Sequence, residues 1–323
     1  MEMQSLSFAW AESNYFGFVS IHAAVSALCL FEWTKNGLVP KYAHKLGKVR
    51  TLRLSSNEKM DNYRLIQVLA LLFSLPWLFA MMSWIIYNTF HRKILFGGNE
   101  TNIIFCIIIC VSNFYVWFIS SICLTFYFII FSSVNREVEH FNKEFENAKK
   151  HKTLKNIGVL EKFDFRQNEI LEMIVLANDS LWSFGSYTPL FMFYGLGNGV
   201  YLTGFMDAVP LVYFVILCVI LASIIIFNLI TVAPAVALQE KLAATTCILI
   251  NNDEFECSKD PIVYQTYRVM VDRLHKVDTR IYVISAIPIT KSTLAASLFI
   301  VPNLGFLLLM AKKVIIANGG HVN

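Results

Sequence analysis

The chain has 323 residues, of which 56% are hydrophobic and 14% aromatic but only 15% charged, with a formal net charge of +4. A soluble domain carries about 25% charged residues, so this composition excludes a soluble enzyme of this length. The 27 Phe and 13 Tyr against 14 Gly and 8 Pro exclude a disordered or low-complexity chain.

The apolar residues come in blocks. A bilayer-spanning helix needs roughly 20 of them, because hydrocarbon offers no partner to a bare backbone amide. Taken in chain order, the blocks predict six spans, at 16–33, 65–87, 103–134, 173–195, 210–236 and 286–310, in a single transmembrane domain over 1–323. The expected fold class is therefore all-α, a polytopic membrane helix bundle. The first block is preceded by Glu2 and Glu12 and by no Lys or Arg, unlike a signal peptide with its basic leader.

Basic residues sort to the cytoplasmic side of short loops. The segments 34–64, 135–172 and 237–285 hold 22 of the 27 Lys and Arg, the opposite side holds four (Arg92, Lys93, Lys312 and Lys313), and Lys291 lies inside the last block. This asymmetry predicts a multi-pass plasma-membrane protein with both termini extracellular. The sequon Asn99-Glu100-Thr101 falls in a loop assigned outside, which makes Asn99 a glycosylation candidate. A second sequon, Asn178-Asp179-Ser180, falls at the cytoplasmic end of the fourth block, where it is unusable.

Two of the cytoplasmic segments read as helices. In 135–172, Val138, Phe141, Phe145 and Ala148 recur at three- and four-residue steps among mixed charges, which predicts a continuation of the third span. In 237–285, Asp260-Pro261 has the form of an N-cap followed by proline at the first helical position. Val263, Tyr267, Met270, Leu274, Val277 and Ile281 then share one face. Helices lying flat on the membrane are the alternative to helices packed on one another or on a partner subunit.

Three stretches carry a resemblance: Asn178 followed by LWSFGSYTPL; Leu238-Gln239-Glu240 opening a loop that ends in Tyr282-Val283-Ile284; and 289–310, ITKSTLAASLFIVPNLGFLLLM. Over about 130–310 the chain resembles the insect gustatory and odorant receptor superfamily, as a divergent gustatory-receptor-like member. That family has seven spans, and the block 16–33 corresponds to its second. Its Thr-Tyr-(five apolar)-Gln-Phe signature is replaced here by Pro302, Asn303, Leu309 and Met310. The resemblance implies a chemosensory receptor in the form of a ligand-gated cation channel. It implies a homotetramer, or a heteromer with a related subunit, with a small-molecule pocket in the outer half of each bundle. The final helix of each chain would line the pore.

Placed around such an axis, the last block would expose Thr293, Leu294, Ser297, Leu298, Val301 and Leu308 as pore-lining residues, its apolar rings able to gate by dewetting. Packing within one bundle explains its small residues equally well, and Lys291 is expected to snorkel to the interface. Trp77, Asn113, Tyr115, Trp117, Tyr187 and Tyr194 are the candidate ligand pocket, a mostly apolar set with few polar groups. Trp84, Tyr87 and Tyr213 are explained by an interfacial aromatic belt. His22 reads as a packed or hydrogen-bonded histidine, and Glu32 and Asp179 as solvated groups at cytoplasmic ends. Cys106 and Cys110 lie one turn apart with no accompanying His or carboxylate, so no metal site is expected. No cofactor, catalytic constellation or nucleic-acid partner is indicated. A G-protein-coupled receptor is the main alternative, since Asn135-Arg136-Glu137 follows the third span, but the sequence lacks Asn-Pro-x-x-Tyr and the span parity fails. A secondary transporter would show midplane charged pairs or repeated broken helices, and neither is present.

Overall fold

The computed structural model describes residues 8–54, 63–87, 103–204, 211–251, 260–280, 282–283 and 287–317. Some side chains within them, including those of Trp77, Ser297, Leu298 and Val301, lie outside that description. Helix α1 (Phe8–Lys35) is followed directly by α2 (Leu38–Thr51), with Gly37 at φ 61° making the corner that a side chain would resist. Then come α3 (Tyr63–Tyr87), α4 (Ile103–Lys150), a 3₁₀ turn (Thr153–Lys155), α5 (Ile157–Thr203), α6 (Leu211–Ile250) and α7 (Pro261–Lys276). The strands β1 (Tyr282–Val283) and β2 (Ile287–Pro288) pair antiparallel and lead into α8 (Lys291–Ala317).

Helices α4, α5 and α6 contain 48, 47 and 40 residues. At 1.5 Å per residue they run about 60–70 Å, twice the ~30 Å hydrocarbon thickness. Each is divided: α4 carries no charge before Arg136, α5 none after Asp179, and α6 none before Glu240. The bundle therefore has an apolar end and a charged end. Three described segments are long and apolar enough to cross a membrane by length and composition, namely Ser13–Lys35, Cys110–Lys150 and Leu211–Ile250.

Helix α5, which holds the expected span 173–195, does not reach that apolarity. It is the central helix, packed by α1, α2, α4, α6, α7 and α8. Its Ser186, Thr188 and Asn198 are buried against protein, and polar groups in membrane bundles face the interior in this way.

At the charged end the helical reading of 135–150 holds: Val138, Phe141, Phe145 and Ala148 are all buried, with Phe145 edge-on to Phe163 at 5.1 Å. Asp260 caps α7 by accepting from the Ile262 amide at 2.9 Å, and Val263, Tyr267 and Met270 are its buried face. That helix ends at Lys276, so Val277 is its cap, and Ile281 lies outside the described residues. The basic segment 34–64, counted only for its charge, contains the helix α2, whose Leu38, Tyr42 and Val49 are buried. Lys45 pairs with Glu172 and Lys48 with Glu169 (2.6 Å), which ties α2 to α5. Just beyond α2, Arg53 donates to the fully buried Glu137 of α4, through Nε at 3.1 Å and through Nη2. Arg166 of α5 donates to Glu144 of α4 at 2.5 Å, and Lys241 of α6 donates to Glu139 of α4 at 2.7 Å.

Candidate functional site

The apolar end of α5 is rich in small residues, and its neighbours approach closely there. A Cβ on Gly305 of α8 would sit 2.7 Å from the Gly197 carbonyl oxygen and 2.7 Å from Val200 Cβ, so α8 meets α5 at a point only glycine allows. Beside this crossing a cleft of about 560 Å³ opens between α1, α5 and α8, lined by Trp10, Leu190, Phe193, Tyr194, Asn198 and Leu308 among others. A second cleft of about 450 Å³, bounded by Ser13, Asn14, Gly17 and Phe18, shares Leu190 and Tyr194 with it. Asn198 is buried and donates to the Ala11 carbonyl at 2.8 Å, fixing α1 to α5 at the cleft's edge. The volume lies in the range of about 300–1,000 Å³ that suits a small organic ligand, and the lining is apolar with few polar groups.

The structure brings one expected pocket residue, Tyr194, to this cleft, together with Leu308, expected instead to line the pore. The rest of the expected pocket is dispersed. Tyr115 is 62% exposed on α4, and Trp117 is half-buried 5.6 Å from Phe114. Asn113 is half-buried on the same helix, and Tyr187 is exposed edge-on to Trp182 at 6.2 Å. The Trp77, Ser297, Leu298 and Val301 side chains and Asn99 lie outside the described residues. Along α8, Thr293 is engaged at the helix start, donating to the Pro288 carbonyl at 2.9 Å. Leu294 is half-buried and packs on the bundle's core. The open face of α8 instead carries Ile300, Asn303, Leu304 and Leu307. Lys291 is exposed and paired with Glu240, in keeping with its reading as an interfacial cation.

The belt reading of Trp84 and Tyr213 is also corrected. Both are fully buried where α1, α3 and α6 meet: Trp84 stacks on Tyr15 at 5.3 Å and meets Tyr213 edge-on at 5.4 Å. Composition places such rings near an interface but not on which side of a helix they fall. His22 is buried as expected, its two ring nitrogens 3.3 Å from Thr188 Oγ1 of α5 and Ser120 Oγ of α4. It thereby joins α1, α4 and α5 through polar contacts shielded by Phe184, Phe191 and Phe227.

The three sequence stretches that carried the resemblance converge at one place on the charged side. The Thr279 carbonyl, between α7 and β1, accepts from Asn178 Nδ2 of α5 at 3.0 Å and from Gln239 Nε2 of α6 at 2.8 Å. One residue on, Glu240 holds Lys291 at the start of α8. The linker to the last helix is thus pinned to both long helices. At the charged end, hydrogen bonds from Lys241 and then Lys143 hold the Glu139 carboxyl down at about 2. Burial pushes the Arg166 guanidinium below its ordinary range, against the pull of Glu144. Among the described residues no group of three or more His, Cys, Asp or Glu is placed to hold a metal ion.

Long helices divided into apolar and charged halves, with the last helix crossing α5 at a glycine and a cleft beside it, define a polytopic helical membrane protein. The chain belongs to the family described as "Caenorhabditis protein of unknown function, DUF267", whose model matches residues 1–305. No curated protein matches it in sequence. The fold is shared with the insect olfactory receptor OR5 from Machilis hrabei: TM-score 0.62 at 12% identity, covering 94% of this chain and 82% of that one. The same receptor solved in complex with eugenol aligns with TM-score 0.59 at 12% identity, over 96% of this chain and 83% of that one. The receptor fold implied by the resemblance is therefore the fold observed.

Proposed function

We propose that the chain is a chemosensory receptor of the plasma membrane that works as a subunit of a ligand-gated cation channel, with both termini outside. The observation that carries this reading is the attachment of α8. It meets its own bundle along one narrow face centred on Gly305, and leaves Phe299, Leu307 and Met310 63–75% exposed. A last helix so weakly covered is suited to contacts around a shared axis, where its open face, with Ile300, Asn303, Leu304 and Leu307, forms the conduction path. Ser297 and Val301 remain candidates for the same path. The likeness to an olfactory receptor solved with a small organic molecule supports the ligand class. The pocket is the cleft around Trp10, Phe193, Tyr194 and Asn198, with Trp77, Asn113, Tyr115, Trp117 and Tyr187 as further candidates. Because Leu308 is part of its wall, an occupant touches the pore helix directly and shifts a closed–open equilibrium by its differential affinity for the two states.

The test is subunit stoichiometry in mild detergent, by light scattering corrected for bound detergent, followed by current recording in planar bilayers. A tetramer whose conductance changes on Asn303→Leu is the expected result. A stable monomer overturns the homotetramer, and current that requires a G protein overturns the channel.

A further inference from the structure

A cleft of about 350 Å³ opens at the charged end between α6 and the segment that leaves α7. Gln239, Leu242 and Thr246 line it on the α6 side, and His275, Lys276 and Arg280 on the other. One carboxylate, Asp278, also lines it, but the turn uses both its oxygens: Oδ1 accepts from the Arg280 amide at 3.1 Å and Oδ2 from the Tyr282 hydroxyl at 3.2 Å. Some cations at this end are matched to carboxylates, as Arg53 is to Glu137, Arg166 to Glu144 and Arg273 to Asp164, and Lys149 is held by the Asn251 carbonyl. What sets Lys276 and Arg280 apart from other surface cations is that they line one cleft together. Lys276 and Arg280 have no carboxylate within ion-pairing distance among the described residues, and both side chains are exposed. The helix C-terminus accounts for His275 and Lys276, since cations complement its terminal carbonyls. It does not account for Arg280, four residues past the end of α7.

We propose that this cleft binds a phosphate monoester, with the Arg280 guanidinium engaging two phosphate oxygens and Lys276 acting as a mobile point charge. The volume exceeds that of bare phosphate and fits a ligand carrying a sugar or polyol ring. Asn178 and Gln239 place the cleft where α5 and α6 pass from their uncharged to their charged halves. On the orientation argued above, that is the level of the cytoplasmic leaflet, so an inositol-phosphate headgroup and a soluble inositol phosphate share the required chemistry. The floor of the cleft includes Thr279, the residue that pins the linker to α8, so an occupant bears on the segment entering the last helix.

Purified full-length protein is titrated with inositol hexakisphosphate by calorimetry, and in parallel captured on vesicles with and without a phosphoinositide. Neither readout needs current, so a chain that binds but does not conduct refutes the channel and leaves this site standing. The expected result is that Lys276→Gln combined with Arg280→Gln weakens binding at least about tenfold. Lys150→Gln combined with Lys155→Gln, which removes the same charge from the same end, leaves it unchanged. Binding to both probes, or to the vesicles alone, assigns a lipid headgroup; binding to the soluble probe alone assigns a free phosphate. Equal weakening in the two double variants, or no binding to either probe, overturns the proposal.

Discussion

The two ends of the same long helices are held together by different forces. At the charged end α2 and the residues just past it, α4, α5 and α6 are joined by directional bonds, among them Glu137 to Arg53, Glu144 to Arg166, Glu139 to Lys241, and Thr279 to two amides. At the apolar end polar joints are few, chiefly Asn198 to the Ala11 carbonyl and the His22 contacts. The helices otherwise meet there by close approaches at glycine, Gly195 over the Phe18 ring and Gly305 over Gly197, with open clefts beside them. Directional bonds in a low-dielectric interior fix register, because breaking one leaves a charge or amide unpaired. Apolar contacts are roughly interchangeable, so helices joined by them can slide and repack. The charged end is therefore the fixed reference and the apolar end the part that can answer a ligand.

The sharpest way to break this contrast is at Glu137. Glu137→Ala leaves Arg53 largely buried without its carboxylate and is expected to cost about 3–5 kcal/mol, read as a lowered unfolding midpoint of the detergent-solubilised chain. A loss under 1 kcal/mol would show that solvent reaches the site. Next is the apolar end itself. Gly305→Leu drives a side chain into Gly197 and Val200 and is expected to cost about 1–3 kcal/mol, with α8 displaced and hydrogen exchange faster in α8 but unchanged in α2. Smaller still is the cap of α7: Asp260→Ala removes the acceptor for the Ile262 amide, costs about 1 kcal/mol, and frays only the start of that helix in hydrogen exchange.

The smallest effect is a response to acid confined to the charged end. The Glu139 carboxyl sits at about 2 when folded against an ordinary 4.5, so its bonds to Lys241 and Lys143 contribute fully above the ordinary value and are lost as the pH falls from there toward 2. Exchange at the α4–α6 contact around Glu139 should rise over that interval while the Gly305 crossing is unaffected. Glu139→Gln should abolish the change.

What the sequence revealed follows the same division. The buried face Val138–Phe141–Phe145–Ala148 and the Asp260-Pro261 cap were legible because helical periodicity and capping are local, fixed within a few residues of chain. Helix α2 was hidden because its Lys and Arg spoke for orientation, while its buried residues Leu38, Tyr42 and Val49, at steps of four and seven, are too few to stand out as a helical face. The cleft was only partly legible. Of its lining, the sequence marks only Tyr194 as a pocket residue, and it marks Leu308 as pore-lining. The two are more than one hundred residues apart, and what brings them together is a glycine contact between two helices that no local pattern encodes. Trp84 and Tyr213 mislead for the same reason: an aromatic near the end of a span has the same composition whether it faces lipid or Tyr15.

The peptide at Thr279 has a mechanical consequence. Its single oxygen takes hydrogen bonds from α5 and α6 at once, and such bonds hold only over donor–acceptor distances of about 2.7–3.2 Å and near-linear angles. Should the two helices shift lengthwise against each other, the Asn178 and Gln239 side chains must turn to follow or one of the two bonds is lost, and in either case the strain falls on the short strand pair that leads into α8.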